Sequence, residues 1–269
     1  MLTRFILTLV LTIWSCLLWA SSISTISRTN TQKLIHLFHP KLGIIIANQK
    51  GHIIFERNQN EYYTSASLMK LFTASAATLI LTPHYQYKTG LYASGTVQNN
   101  TLYGNVYLHF VGDPTLKLQD ISNLVHQLKE DGVYNIAGSV FIDNQSFDQR
   151  PYPPGTTVDD LAYSYASPLN AIILDENAFK LQIIPTKLKQ PPILKPSISS
   201  NLVSFSNHII TTDKTQLDCP LYITNNNDNH YTLNGCINLH AGIDTENLAI
   251  SNITKLTKIA LQNLISQAG

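Results

Sequence analysis

A serine three positions ahead of a lysine can do chemistry, and the stretch TSASLMKLFTASAATLIL, residues 64–81, contains such a pair in Ser67 and Lys70. Residues three apart share a helix face, so a hydroxyl in the first turn can meet an ammonium one turn later. A lysine removed from water loses its proton more easily and can take the serine proton, which turns a weak nucleophile into a strong one. The start of a helix adds backbone N–H groups and the positive end of the macrodipole where an oxyanion would develop. Spacing alone is weak evidence, because a serine-rich chain produces S-x-x-K by chance. The neighbours of Lys70 strengthen it. Leu68, Met69, Leu71 and Phe72 predict a buried apolar helix, and a buried lysine needs a reason to be there.

Two further triplets invite comparison with serine enzymes that bind β-lactams, which combine S-x-x-K with S-x-N and K-T-G. Lys88-Thr89-Gly90 starts only a few residues after the helix ends, so the chain would have to reverse at once to lay it along the same site. It is read as a coincidence. Ser199-Ser200-Asn201 stands in a Ser/Pro-rich turn ahead of a strand and is read the same way. Asp113 of GDPT and Asp143 are read as turn-formers, and Asn177 as structural. The nine histidines are scattered, no C-x-x-C or H-E-x-x-H spacing occurs, and His36 and His39 are read as surface or packing residues. No metal and no cofactor is expected.

The elements that must position Ser67 and Lys70 follow from pattern. Residues 31–39 read as a short amphipathic helix that stops at Pro40. In KLGIIIANQKGHIIFERNQN two β-branched runs flank Asn48-Gln49-Lys50-Gly51, a hairpin signature with glycine free to take positive φ. The helix of residues 64–81 is expected to be capped by Ser65 or Ser67 and ended by Pro83. From Tyr85 the chain changes to short strands and turns. An amphipathic helix over 116–130, carrying Leu124, Val125 and Leu128, stops at Asp131-Gly132. FKLQIIP and NLVSFSNHIITT alternate as strands, and NLAISNITKLTKIALQNLISQAG reads as a strand followed by a helix.

Composition narrows the function. Lys+Arg 18 against Asp+Glu 17, with 13% charged residues, leaves no electrostatic footprint for nucleic acid. Met1–Arg4 is a short positive region, Phe5–Trp19 is largely apolar, and Ala20-Ser21-Ser22 offers small residues for cleavage. Residues 1–22 are therefore expected to be a secretory signal peptide, with a retained N-terminal anchor as the alternative. Cys16 would leave with the signal. Cys219 and Cys236, 17 positions apart, would then meet an oxidising compartment, where they can pair as a disulfide or remain two buried thiols.

Several segments occurring in order carry a resemblance: YYTSASLMKLFTASAATLIL, HFVGDPTL, GSVFIDNQSFD, PPGTTVDDLAYSYASPLNAIILDENAFKLQIIP and YTLNGCINL. From about Lys41 onward the chain resembles the peptidase S13 family, the D-alanyl-D-alanine carboxypeptidases/endopeptidases of the penicillin-binding protein 4 (DacB) type. The resemblance implies an α+β fold, a serine penicillin-binding (β-lactamase-like transpeptidase) domain with a large β-rich inserted region. Its parts would be the signal at 1–22, the domain's N-terminal part with the nucleophile helix at 23–84, the insertion at 85–245, and a return strand and helix at 246–269. It implies Ser67 as acyl-enzyme nucleophile and Lys70 as general base. In the segment matching DDLAYSYASP it implies that Asp160 and Tyr165 hold the diamino acid of a peptidoglycan stem peptide. A carboxylate attracts an ammonium, and a ring packs on its aliphatic stem; the residues by themselves equally allow a capped and packed loop. Peptidoglycan stem peptides as substrate, β-lactams as covalent ligands and a periplasmic location follow from the same resemblance.

The chain departs from the family in one respect. The family's S-x-N and K-T-G motifs lie beyond the segment matching GC at 235–236, and these 269 residues hold no counterpart there. The expectation is a family member with little or no activity on its own, because losing positioning groups costs orders of magnitude in rate. Two other readings stand beside it: a catalytically silent peptidoglycan-binding protein, and one half of a split enzyme completed by a second chain.

Overall fold

The computed structural model of the chain describes residues 42–148, 150–214 and 218–268. The expected signal peptide at 1–22, Cys16, His36, His39 and the helix expected over 31–39 lie outside the described residues. The chain forms two compact units that divide between His84 and Tyr85.

In the first unit, β1 (Ile44–Ala47) and β2 (Ile53–Arg57) form an antiparallel hairpin, with Ile44 opposite Arg57 and an irregularity at Ile46/Ala47. Its turn is held by the Asn48 side chain, whose Oδ1 accepts the N–H groups of Lys50 and His52, each at 3.0 Å. Gly51 takes φ 81, the left-handed conformation that a side chain would oppose. A 3-10 turn, Ala66–Leu68, leads into α1 (Met69–Leu81), and Thr82 and Pro83 follow its last residue.

Two expectations fail in α1. Neither Ser65 nor Ser67 caps it with a side chain: Ser65 precedes the 3-10 turn and Ser67 lies within it, and the turn's carbonyls and N–H groups bond within the backbone instead. The helix is also not buried. None of its residues is buried, and Phe72 and Leu79 are 69% and 82% exposed. Apolar composition favours burial only where another element supplies a covering surface, and a two-stranded hairpin is too small to do so. The hydroxyls along α1 turn inward to the helix itself: Ser75 and Thr78 donate to the carbonyls of Leu71 and Ala74 at 2.7 and 2.8 Å.

Among its described residues the second unit holds four three-stranded sheets and two α-helices. Antiparallel β3 (Gly90–Ala93) and β6 (Val106–His109) pair, and β8 (Val140–Asp143) adds parallel to β6. β5 (Thr101–Tyr103) stands between β4 (Thr96–Gln98) and β7 (Asn135–Ile136), and Asn99 and Asn100 make the β4–β5 turn with positive φ. β9 (Ala178–Ile184) lies between β10 (Ile193–Pro196) and β14 (Asp244–Ala249), all antiparallel. β13 (His230–Asn238) lies between β11 (Ser204–Thr212), parallel to it, and β12 (Tyr222–Asn225), antiparallel.

The helices of this unit are α2 (Leu118–Glu130) and α3 (Ile253–Ala268), which touch one another. α2 buries Ile121 and Val125 and ends as the pattern predicts, with Gly132 at φ 85 and its N–H bonded to the carbonyl of Lys129 at 2.8 Å. α3 buries Ile253, Leu256, Ala260 and Leu261. Its start is fixed by buried Asn229, which accepts the Asn252 N–H at 2.7 Å and donates to the Asn252 carbonyl at 3.0 Å. The larger core of the unit runs from Phe110 through Leu181, Ile183, Tyr231 and Leu233 to Leu248 and Leu261, and a smaller one gathers Leu102, Val106 and Val133. Alternate residues of β9 (Phe179, Leu181, Ile183) supply it, as a strand with one buried face should. Residues 246–268 thus pack in the same unit as the β-rich stretch before them.

Candidate active site

Ser67 sits in the 3-10 turn and Lys70 in the first turn of α1, on one continuous helical stretch. The entry is sharp. Ala66, immediately before the serine, takes φ 43, a left-handed conformation that costs a residue with a Cβ roughly 1–2 kcal/mol. Ser67 and Lys70 are both exposed, and among the described residues no hydrogen bond joins the hydroxyl to the ammonium. The pair has the order and helix placement that proton transfer needs. Both stand open to solvent, with no wall of buried residues beside them in α1.

Asp160 and Tyr165 come together in the second unit. The Tyr165 hydroxyl donates to Asp160 Oδ1 at 2.8 Å, and the Thr157 hydroxyl donates to Oδ2 at 2.6 Å. These two bonds, Thr157 first, hold the Asp160 carboxyl below its usual range. The reciprocal effect pushes Tyr165 up to about 12, with its bond to the carboxylate as the main cause. The backbone between them is clamped from both sides: Ala249 N–H donates to the Ala162 carbonyl at 2.9 Å, and Asn225 Nδ2 donates to that of Leu161 at 3.0 Å. Tyr165 is 73% exposed, so its ring is accessible.

Tyr163 is a residue of this site that sequence reading passed over. Its ring stacks on that of Tyr165 at 5.7 Å and 3°, and its backbone bridges to Leu248 of β14. Burial, then the charges of Glu246, Asp160 and Asp244, raise the Tyr163 phenol. Glu246, on the same strand, is itself raised by burial and by Asp244. The alternation in Tyr163-Ser164-Tyr165 is the signal that points to paired rings. Glu246 carries no local sequence signal, because β14 is brought beside the loop only by long-range pairing.

The remaining residues singled out above have plain roles. Asp113 forms its turn, accepting Thr115 N–H and Oγ1–H at 2.9 and 2.7 Å. Buried Asn177 accepts Leu174 N–H and donates to the Ile172 carbonyl, each at 2.9 Å. Asp143 accepts Gln145 N–H in its turn, but it also bonds His109 Nδ1 at 2.8 Å, a pairing not read from the sequence. Ser199-Ser200-Asn201 lies in the turn region before β11, and Gly90 of K-T-G opens β3. Cys219 and Cys236 are joined in a disulfide, Cα to Cα 5.4 Å.

The fold is α+β, and its likeness is to penicillin-binding protein 4. A crystal structure of penicillin-binding protein 4 (dacB) from Haemophilus influenzae matches with TM-score 0.74 and 26% identity, over 84% of this chain and 51% of that one. A second, of the same protein complexed with a novel β-lactam, matches in fold with TM-score 0.66 and 24% identity, over 86% and 50%. The sequence matches the D-Ala-D-Ala carboxypeptidase 3 (S13) family over residues 30–269, and the chain belongs to that family. It is 29% identical over 199 residues to the D-alanyl-D-alanine carboxypeptidase DacB of Haemophilus influenzae, covering 73% of this chain and 41% of that protein. It is 22% identical over 174 residues to the D-alanyl-D-alanine carboxypeptidase of Actinomadura sp. (strain R39), covering 62% and 32%. The chain spans less than half the length of these curated relatives.

Proposed function

We propose that this chain carries the nucleophile of a serine-type D-Ala-D-Ala carboxypeptidase/endopeptidase acting on peptidoglycan stem peptides in the periplasm. The observation that carries the proposal is S-x-x-K at the start of α1 in a chain that belongs to the S13 family. In the proposed chemistry Lys70, as the free amine, takes the Ser67 proton while Oγ attacks the D-alanine carbonyl of the amide to be cut. The nitrogen of that amide belongs to a terminal D-alanine in the carboxypeptidase reaction or to a cross-bridge in the endopeptidase reaction. The proton passes to the leaving amine, D-alanine or a cross-bridge amine departs, and water hydrolyses the ester to restore Ser67. A β-lactam would acylate the same oxygen, in line with the β-lactam complex of the matched penicillin-binding protein 4. Asp160 and Tyr165 support recognition of the diamino acid: the carboxylate is held charged by two donors, and an exposed ring lies beside it. The N-terminal pattern of residues 1–22 supports export.

The 269-residue chain alone is proposed to be nearly inactive, because Ser67 and Lys70 stand exposed and these residues hold no S-x-N or K-T-G beyond GC at 235–236. The bare apolar surface of α1 favours a second reading, in which another polypeptide covers the helix and completes the site. Labelled penicillin tests both. Stable labelling of the chain alone that vanishes in Ser67→Ala would establish the nucleophile and overturn near-inactivity. Labelling only on co-expression with a polypeptide carrying S-x-N and K-T-G would support completion by a second chain. Labelling unchanged in Ser67→Ala would overturn the assignment of Ser67.

A further inference from the structure

We propose that the outward face of the β3–β6–β8 sheet is a saccharide-binding platform, with Tyr92 stacking on a pyranose ring and the His109–Asp143 pair bonding its hydroxyls. The register places six residues in two rows. Tyr92, Tyr107 and Phe141 are direct cross-strand partners, and so are Gly90, His109 and Asp143 one step further along. Side chains alternate across a strand, so both rows lie on one face, opposite the buried Val106 and Leu108. Tyr92, Tyr107 and Phe141 are 56%, 37% and 46% exposed.

Gly90 shapes the surface. A Cβ there would stand 3.0 Å from both Cε2 and the hydroxyl of Tyr92, so the missing side chain is the space in which that ring lies down. Laid over Gly90, the Tyr92 ring reaches the His109 ring, edge to face at 6.4 Å and 66°. Tyr107 and Phe141 stack on one another at 5.3 Å and 15°, each covering one face of the other, and lie to one side of Tyr92 in the register.

The chemistry selects the occupant. A pyranose ring offers an apolar C–H face, attracted by the negative face of an aromatic ring, and a rim of hydroxyls. His109 Nδ1 is committed to Asp143 Oδ2 at 2.8 Å, which leaves Nε2 without a protein partner among the described residues to meet a hydroxyl. Asp143 is held as a carboxylate, first by the Gln145 N–H and then by His109, so the face presents a fixed acceptor for O–H donors. The same carboxylate repels phosphate, and the six residues include no lysine or arginine to bind a nucleic-acid backbone. Aliphatic anchors for a helix are absent from them too. The inference rests on the cell-wall reading only for the choice of an N-acetylhexosamine polymer as probe.

The full chain should bind chitotetraose in calorimetric titration, with saturation transfer in NMR running from tyrosine rings to the sugar. Tyr92→Ala and Asp143→Asn should each weaken binding about tenfold, the scale of one lost aromatic or charge-assisted contact. Tyr92→Trp should retain it, and Gly90→Ala should weaken it a few-fold by lifting the ring. Circular dichroism melting of each variant separates lost binding from lost folding. Ser67→Ala and Asp160→Ala should leave it unchanged, whatever penicillin labelling reports, so the two readings fail separately. No binding by the wild-type chain, or equal binding by folded Tyr92→Ala and Asp143→Asn, would overturn the platform. Loss of binding in Asp160→Ala alone would also overturn it, by moving the sugar to the other site.

Discussion

α1 and α3 are both rich in apolar residues, yet one lies bare and the other is built into a core. α3 buries Ile253, Leu256, Ala260 and Leu261 and turns Lys255, Lys258 and Gln262 outward. α1 buries nothing, although Leu71, Phe72, Leu79 and Ile80 are as apolar as anything in α3. The difference is one of pattern. A helix with one apolar stripe states which side is to be covered, and a single sheet can cover it. α1 mixes leucine, phenylalanine, alanine and small hydroxyl residues around its whole circumference, which suits a helix enclosed on several sides. Among the described residues its own unit offers the β1–β2 hairpin. Among the described residues, the helix that bears the candidate nucleophile is thus the one left uncovered.

The sharpest break of this comparison is in α3. Leu261→Ala should destabilise the second unit by about 2–5 kcal/mol, the range for a leucine truncated in a packed core, read by urea denaturation. A loss under about 1 kcal/mol would mean that α3 is held no better than α1.

Next in size is the disulfide. Cys219→Ser with Cys236→Ser should cost about 3 kcal/mol, from freeing a closed loop with sequence separation 17 in the unfolded chain. The bridge reaches β13, which lies between β11 and β12, so denaturation should show the loss in the second unit alone. An equal loss in the first unit would show that the two do not unfold separately.

A smaller effect belongs to the Asp160–Tyr165 bond and is best followed by pH. The Asp160 carboxyl is lowered in the folded chain, so its contribution is present above an unfolded aspartate's pKa of about 3.9 and is lost as pH falls through the lower folded value. Tyr165 is raised to about 12, so its share is full below an unfolded tyrosine's value of about 10 and is lost as pH rises through about 12. The bond therefore stands intact across neutral pH, where the proposed ammonium would bind. Ultraviolet titration should lose one tyrosine at about pH 12 in Tyr165→Phe and show it lowered in Asp160→Asn. An unchanged curve in Asp160→Asn would break the pairing.

Local chemistry made much of this fold readable. The Asn48–Gly51 turn, the amphipathic stretch that became α2, and the alternating apolar residues of β9 each carry their instruction within a few residues. What could not be read is pairing across long separations. Nothing near β6 says that β8 will lie parallel to it, so the bond from His109 to Asp143, 34 residues on, had no local signal. Asp143 looked like a turn-former because it is one, and its second bond is tertiary. Asp160 and Tyr165 were singled out through their family segment, and the structure joins their side chains by a hydrogen bond. Tyr163 was passed over although it alternates with Tyr165, because stacking depends on the 3-10 turn of Ser164–Ala166 that brings the rings parallel.

The smallest effect is expected where the sequence looked most like a core. Leu71 lies one residue after Lys70 and is 67% exposed, so Leu71→Ala in this chain removes little buried area and should change stability by less than about 0.5 kcal/mol. The change also replaces leucine with alanine, a slightly better helix former, which offsets part of any loss. The same substitution in a protein whose α1 is enclosed should behave like Leu261→Ala, because enclosure and not composition sets the cost. Measuring Leu71→Ala in the chain alone, and again with a co-expressed polypeptide that restores penicillin labelling, therefore reports directly on whether α1 has acquired its wall. A loss of 2 kcal/mol or more (roughly what a closed core would give) in the chain alone would show that α1 is already covered in solution. The same enclosure would supply the desolvation that Lys70 needs, so a destabilising Leu71→Ala and an acylable Ser67 should appear together.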